Sequence, residues 1–473
     1  MRRCGSIFLS LSLALLMFPT SALVADGDAY ADPLVAQSEL QASSANSTPA
    51  TSDVKHTVSK TIGTKQRAVP QATDFHQAFG VTHGYPAYDG TFNADVTKAA
   101  DSATAEAQEL AVKAENTAIF DYDAIDEGGN LYKNGARKTE SADGKTVTKL
   151  VRHTAGVNNY GETIPDSTPA TITRLSLRMV RYGNVVTGLY APPGEVVKVT
   201  LRSTSSNKAP EELGLQAQIG NYSGNAHTSV ISNTEKYNLT RMPDISKTLA
   251  LDKQTTYIGS PLGGAILIYS NGIGGTTVEM EIEGAIEMPT YFYGESPGSE
   301  SSAAKLAEIA EQLQKPGPYF AFSTPRGVRA VGPSSIIRDM DPAKLVAIME
   351  FWDKAVGLSL QFEAGPFDKD DPDTNLMVEM FDPHIPAGIA VNMGQWCICP
   401  VSWGKNFLDI NQYVSGGGWG AIHELNHSFP WGGAIDGMTE ISNNVINAMT
   451  YQLYTNIAAN RYEPTNRSNP SSG

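Results

Sequence analysis

Two histidines four residues apart bracket a glutamate in Gly418-Trp419-Gly420-Ala421-Ile422-His423-Glu424-Leu425-Asn426-His427. On an α-helix, positions i and i+4 lie one above the other on the same face, so His423 and His427 can offer two imidazole nitrogens to a single metal ion. Glu424 then stands beside that metal, where a carboxylate can serve as general base toward water. Catalytic zinc is ordinarily held by three protein groups with a fourth position open. Any fold adopted by this chain must therefore bring a second element against the helix at the height of these histidines.

The three-histidine form of this arrangement, the metzincin pattern, needs Gly three and His six residues after the second histidine. Those positions hold Pro430 and Gly433, which excludes it. The gluzincin pattern takes a glutamate from a following helix. In Thr439-Glu440-Ile441-Ser442-Asn443-Asn444, Glu440 is the first acidic residue after Asp436 to open a helical run. Pro430, Gly432, Gly433 and Gly437 end one helix and let the chain turn back before the next. The predicted site is thus His423, His427 and Glu440 as ligands of Zn2+, with Glu424 as catalytic base. Asn444, four residues after Glu440, is expected on the same helical face, where it could orient a ligand. Tyr413 and Tyr451 are candidates for stabilising an oxyanion, without an assigned role. Asp382 and His384, in Phe381-Asp382-Pro383-His384, are expected in a loop turn.

At 473 residues the chain exceeds what one hydrophobic core usually holds, so about two or three domains are expected. Its formal net charge of −15 argues against a nucleic-acid or anionic-membrane surface, since phosphate binding needs clustered Lys and Arg. Arg2 and Arg3 precede an apolar run from Ile7 to Phe18, and small-residue sites follow as far as Ala29-Tyr30-Ala31. This is the pattern of a signal peptide over 1–31, with an apolar run too short for a transmembrane helix. A secreted, extracellular protein is expected, with cell-surface association as a variant. Beyond residue 31 the only cysteines are Cys397 and Cys399, so no disulfide framework is expected. They are read as two buried thiols in a loop, pointing to opposite sides of an extended segment.

Residues 32–68 are rich in Ser, Ala and Thr and read as a disordered linker. Residues 69–165 contain an Ala-rich helical candidate, Val96 to Ala114, and say little about chemistry. From 166 to 293 short β-branched runs are broken by Gly, Pro, Asn and Asp, and Val278-Glu279-Met280-Glu281-Ile282-Glu283 alternates strictly, as in a half-exposed strand. A β-sandwich-like accessory domain is expected there. Beyond Gly294–Ser299, residues 300–473 predict an α+β, zincin-type metallopeptidase domain, with helices over Ser301–Gln314 and Ala343–Val356 and short strands at Phe320–Phe322 and Leu376–Met380. All five tryptophans fall in this half; they are read as core, those flanking the motif also as candidates to line a cleft.

The motif set resembles the enhancin and mucin-degrading zinc metallopeptidases, the family numbered sixty among metallopeptidases. His423-Glu424-Leu425-Asn426-His427 and Glu440-Ile441-Ser442-Asn443-Asn444 match its H-E-x-x-H and E-x-x-N-N elements. Gly418-Trp419-Gly420, Thr187-Gly188-Leu189-Tyr190-Ala191-Pro192-Pro193-Gly194-Glu195 and Pro261-Leu262-Gly263-Gly264 are also similar to family segments, so the resemblance runs from about Thr171 to the end. It implies the same ligand set and base, and glycoprotein substrates, especially mucin-like O-glycosylated chains, with carbohydrate contacts. The chain stops 33 residues after Glu440, before the further helices with which the family continues, which implies a C-terminally truncated domain. A second reading makes the chain a secreted glycan-binding or adhesion protein whose metallopeptidase-like part is non-catalytic.

Overall fold

The computed structural model describes residues 58–73, 120–138, 149–153, 164–180, 182–220, 245–294, 300–324, 328–364, 378–382, 390–393, 396–415, 418–427 and 439–458. The expected signal peptide, the helix at Val96–Ala114, His384 and Trp431 lie outside these residues.

The first fourteen strands are β1 (Val58–Lys65), β2 (Ala72–Thr73), β3 (Ala124–Ile125), β4 (Leu131–Lys133), β5 (Ala136–Arg137), β6 (Arg152–His153), β7 (Ala170–Arg178), β8 (Tyr182–Ala191), β9 (Val197–Thr204), β10 (Gln216–Ile219), β11 (Lys247–Ala250), β12 (Thr255–Ile258), β13 (Gly264–Asn271) and β14 (Thr277–Glu287). Twelve of them form one sheet, and β2 and β6 pair separately. Strand β14 is its pivot. Val278–Glu283 pair with both β7 and β9, whereas Ile286 and Glu287 pair with β8. The strand turns at Gly284, whose φ of +100° is open to glycine and strained for residues with a Cβ. Val278, Met280 and Ile282 are fully buried, as the alternation predicts. Glu281 and Glu283 face Arg174, Arg202 and Lys65 on the other side. Buried side chains from both sets of strands, among them Leu175, Val199 and Met280 with Val185, Ile219 and Ile268, make one core.

The linker reading fails at its end. Val58–Lys65 pairs antiparallel with β7, and Arg67, beyond it, donates to Glu195 in an ion pair whose side chains are 3% and 6% exposed. A polar, Thr- and Lys-rich composition can look like linker, yet an edge strand needs only a partner for its backbone and one face of contacts.

The remaining strands, β15 (Thr290–Phe292), β16 (Tyr319–Ser323), β17 (Arg329–Pro333), β18 (Val378–Asp382), β19 (Val391–Met393) and β20 (Trp396–Pro400), form a mixed sheet in the order β15-β16-β17-β18-β20-β19. Thr290–Phe292, assigned above to the β-rich part, thus belongs to the second sheet. Among the described residues six helices accompany it: α1 (Ala303–Gln312), α2 (Pro342–Ala364), α3 (Val401–Phe407), α4 (Ile410–Val414), α5 (Trp419–Asn426) and α6 (Thr439–Ala458). Ser302 caps α1 by accepting from the Lys305 amide. Helix α2 runs eight residues past its expected end at Val356, and Phe351, Trp352 and Ala355 are buried in the core with residues of α3, α4 and α6. The Trp352 ring stacks on Phe407 at 4.4 Å and donates to the Phe407 carbonyl. Between the sheets a smaller core joins Val186, Tyr190 and Leu267 to Tyr319, Ala321 and Val331.

Cys397 and Cys399 lie in β20 rather than in a loop, and both are fully buried. Strand side chains repeat every two residues, so the two thiols share a face instead of opposing each other; their Sγ atoms are 3.8 Å apart. Asp382, at the end of β18, is also fully buried and is not in a loop turn. Among the described residues no helix is long and apolar enough to cross a membrane.

Candidate metal centre

Helix α5 begins at Gly418, whose φ of +79° places it in the left-handed region. A Cβ there would lie 2.5 Å from the Tyr413 ring, and one on Gly420 would lie 2.4 Å from the Trp403 ring. The two glycines let the first turn of the helix press directly on two aromatic faces. Gly420→Ala is therefore expected to destabilise the protein by about 1–3 kcal/mol through overpacking, despite alanine's better helix propensity. Thermal unfolding of the metal-free variant checks it; an unchanged or higher Tm would show that Trp403 yields freely.

One turn further along, His423 and His427 present their rings at 87° to each other, with Nε2 atoms 3.2 Å apart. Helix α6 brings up Glu440, whose carboxylate oxygens lie 3.2 Å from His423 Nε2 and 3.6 Å from His427 Nε2. Zinc–ligand bonds of 2.0–2.1 Å in a tetrahedron separate neighbouring donors by about 3.3 Å. The two histidine nitrogens, and the Glu440 oxygen nearest each of them, therefore stand at separations close to those between the corners of a zinc-sized tetrahedron. Two imidazoles and a carboxylate converging on one point also form a donor set suited to a divalent transition metal. The His side chains are 15% and 11% exposed and Glu440 is 73% exposed, so the centre is walled by α5 and open toward solvent past Glu440. Burial, reinforced by His423, pushes the His427 pKa below the usual range against the pull of Glu440; a neutral imidazole is the form that ligates.

Glu424 is 8% exposed. Burial, then the charge of Glu440, pushes its carboxyl up to about 7, while the backbone N–H of Asn392 on β19 donates to it and holds it down somewhat. The Asn392 side chain donates to the Glu424 carbonyl at 3.2 Å, so one residue of the last strand grips both ends of Glu424. No spacing rule pointed to Asn392, which is 32 residues upstream.

The other sequence candidates fare differently. Tyr413 is buried, stacks on Phe351 at 4.7 Å and donates to the Phe407 carbonyl; it is core and cannot reach an oxyanion. Tyr451 is half-buried against Trp419 at 5.2 Å and lies about 16 Å along α6 from Glu440 at 1.5 Å per residue, so it does not serve the centre either. Asn444 is exposed. Its neighbour Asn443 takes the inward position, donating to the His423 carbonyl at 2.8 Å. Trp352 is core, Trp396 and Trp403 are half-buried, and Trp419 is 42% exposed.

Residues 284–472 match the family described as peptidase M60, enhancin and enhancin-like, and residues 167–287 match the N-terminal domain of M60-like peptidases. The chain belongs to the M60 peptidase family. The two matches meet where β14 gives way to the second sheet, so this M60 chain has the family's N-terminal domain followed by its peptidase domain. Among curated proteins it is 28% identical over 314 residues to antigenic protein P1 of Entamoeba histolytica, covering 61% of this chain and 26% of that one. It is 26% identical over 246 residues to human TRPM8 channel-associated factor 2, covering 52% and 24%. The chain thus spans about a quarter of the length of these relatives. Among solved structures it is similar to the IMPa metallopeptidase from Pseudomonas aeruginosa, with 19% identity, 61% of this chain and 33% of that chain covered, and a TM-score of 0.42. It is likewise similar to the ZmpB metallopeptidase from Clostridium perfringens, with 15% identity, 61% and 57% covered, and a TM-score of 0.42.

Proposed function

We propose that this M60 chain is a secreted zinc metalloendopeptidase that hydrolyses peptide bonds in glycoproteins, with mucin-like O-glycosylated chains as the substrate class. The observation that carries the reading is the convergence of His423, His427 and Glu440 at zinc-ligand spacing beside a buried Glu424. The substrate class rests on the family, and secretion on the N-terminal sequence pattern.

Zinc held by these three residues would supply a Lewis acid that polarises the scissile carbonyl and makes water more acidic. Glu424 accepts the proton of the attacking water as its oxygen bonds to the carbonyl carbon, then hands that proton to the nitrogen as the C–N bond breaks. A carboxylate serves both transfers, taking the proton as a base in the first and giving it back as an acid in the second. Asn392 keeps Glu424 from swinging away. Strand β19 is the last of its sheet, with no further strand beside it among the described residues. An extended peptide can add there by backbone hydrogen bonds, which places a substrate beside Glu424.

The test is zinc analysis of the purified protein together with mucin cleavage, with and without a chelator. About one zinc per chain and cleavage that stops on chelation and returns with zinc are expected. A protein that carries zinc and leaves both mucin and deglycosylated mucin intact would favour the non-catalytic, glycan-binding reading.

A further inference from the structure

The contact between α5 and α6 is polar where a helix pair is ordinarily apolar. Asn426, Asn443 and Asn447 are each fully buried, in a region whose other members include Ile422, Leu425, Tyr413 and Tyr454. Asn443 donates to the His423 carbonyl at 2.8 Å, and Asn447 to the Trp419 carbonyl at 3.4 Å. Asn426 donates across to the Asn447 side-chain oxygen at 3.3 Å. The Asn443–His423 and Asn447–Trp419 bonds are one helical turn apart on each helix and run in opposite directions along the two, as they must between antiparallel elements, and Asn426 ties into the second of them.

These bonds are poor stabilisers. The His423 carbonyl already accepts the His427 amide within α5, so Asn443 rescues no orphaned group there. The Asn443 side-chain oxygen is buried and meets no donor among the described residues, and an amide buried with an open acceptor costs stability that an apolar side chain of similar size would not. What the ladder fixes is position. Glu440, Asn443 and Asn447 occupy i, i+3 and i+7 on one face of α6. A slip of one turn would carry Glu440 about 5.4 Å along the axis, beyond the reach of His423 and His427. An apolar interface tolerates such slips, whereas buried polar pairs penalise them.

We propose that Asn443, supported by Asn447 and Asn426, is a positioning residue of the metal centre, holding α6 in the one register at which Glu440 meets the two histidines. This rests on the zinc reading above. It is tested by a double-mutant cycle of zinc affinity, measured by chelator competition, on wild type, Asn443→Leu, Glu440→Ala and the double variant, with the metal-free Tm of each. Asn443→Leu is expected to weaken zinc binding by about 10–100-fold with a metal-free Tm equal to or above that of wild type. In the Glu440→Ala background the same substitution is expected to change affinity by no more than about twofold. Equal losses in both backgrounds, or no loss in the first, would overturn the proposal while leaving the zinc reading intact. A wild-type protein that takes up no zinc would overturn both. If Asn443→Leu does not fold, Asn447→Leu goes through the same cycle, with a loss expected that also vanishes without Glu440; a loss that persists counts against the proposal.

Discussion

Glu424→Gln is expected to lower kcat/KM for peptide hydrolysis by about 10²–10⁴-fold while the protein keeps its zinc. Glutamine has the shape of glutamate and still offers an oxygen to the Asn392 amide, so the pocket is preserved. It cannot carry a proton from water to the leaving nitrogen. The same substitution has a second, opposite consequence for the metal-free protein. The Glu424 carboxyl is raised to about 7 from an ordinary 4.5, by burial first and Glu440 second. Between those values the folded chain retains a proton that the unfolded chain has lost, so wild-type stability falls as pH rises through this window and levels off above it. At pH 8 the metal-free glutamine variant should therefore be more stable than wild type by on the order of 3 kcal/mol, and at pH 4 the two should be alike. Urea denaturation in the presence of chelator at both pH values reads this. A wild type that is the more stable of the two at pH 8 would show that Glu424 is not buried as described. Saturating zinc should flatten the wild-type slope, because a cation beside the carboxylate favours its ionised form.

The histidine pair within one helix and the glutamate that opens the next were legible in the sequence, and the contact supplied by a strand of the sheet was not. The spacing of His423 and His427 predicts a shared face because it depends only on helical geometry. Glu440 followed from the absence of a third histidine and from the next helical run. Asn392 had no such signal: its contact with Glu424 exists only because β19 is the last strand of the sheet and lies along α5.

Helix α6 shows why pattern reading fails at a site. Its apolar residues Ile441 and Val445 are 57% and 56% exposed, while Asn443 and Asn447 are fully buried. The rule that apolar residues face inward would have rotated the helix and turned Glu440 away from the histidines. Asn444 was chosen for its i+4 spacing, yet i+3 and i+4 lie on either side of the same axis, and only the direction from which α5 approaches decides between them. Such inversions are expected where position matters more than stability. The strand Val58–Lys65 was missed for a plainer reason, since edge strands are polar by composition and their pairing partner is more than a hundred residues away.

Removing the Glu440 carboxylate is expected to weaken zinc binding about a hundredfold, with turnover falling at least as far. Zinc bound by a full set of ligands is worth about 10–16 kcal/mol, or roughly 3 kcal/mol for each of four, which corresponds to about two powers of ten in affinity. The effect can be separated from folding. Glu440 is 73% exposed and its described polar contacts are those to the two histidines, so Glu440→Ala should change metal-free stability by no more than about 0.5 kcal/mol. It should also act on its neighbour: the Glu440 charge is one of the causes that raise the Glu424 carboxyl, so in the variant the pH window over which metal-free stability declines should narrow from its upper end. Chelator competition for affinity and denaturation across pH for the window measure the two consequences independently. An unchanged affinity would place the third ligand elsewhere, and with it the reason for the α6 register. A lowered affinity with an unshifted window would mean that Glu440 ligates the metal yet is too well screened by solvent to be felt at Glu424.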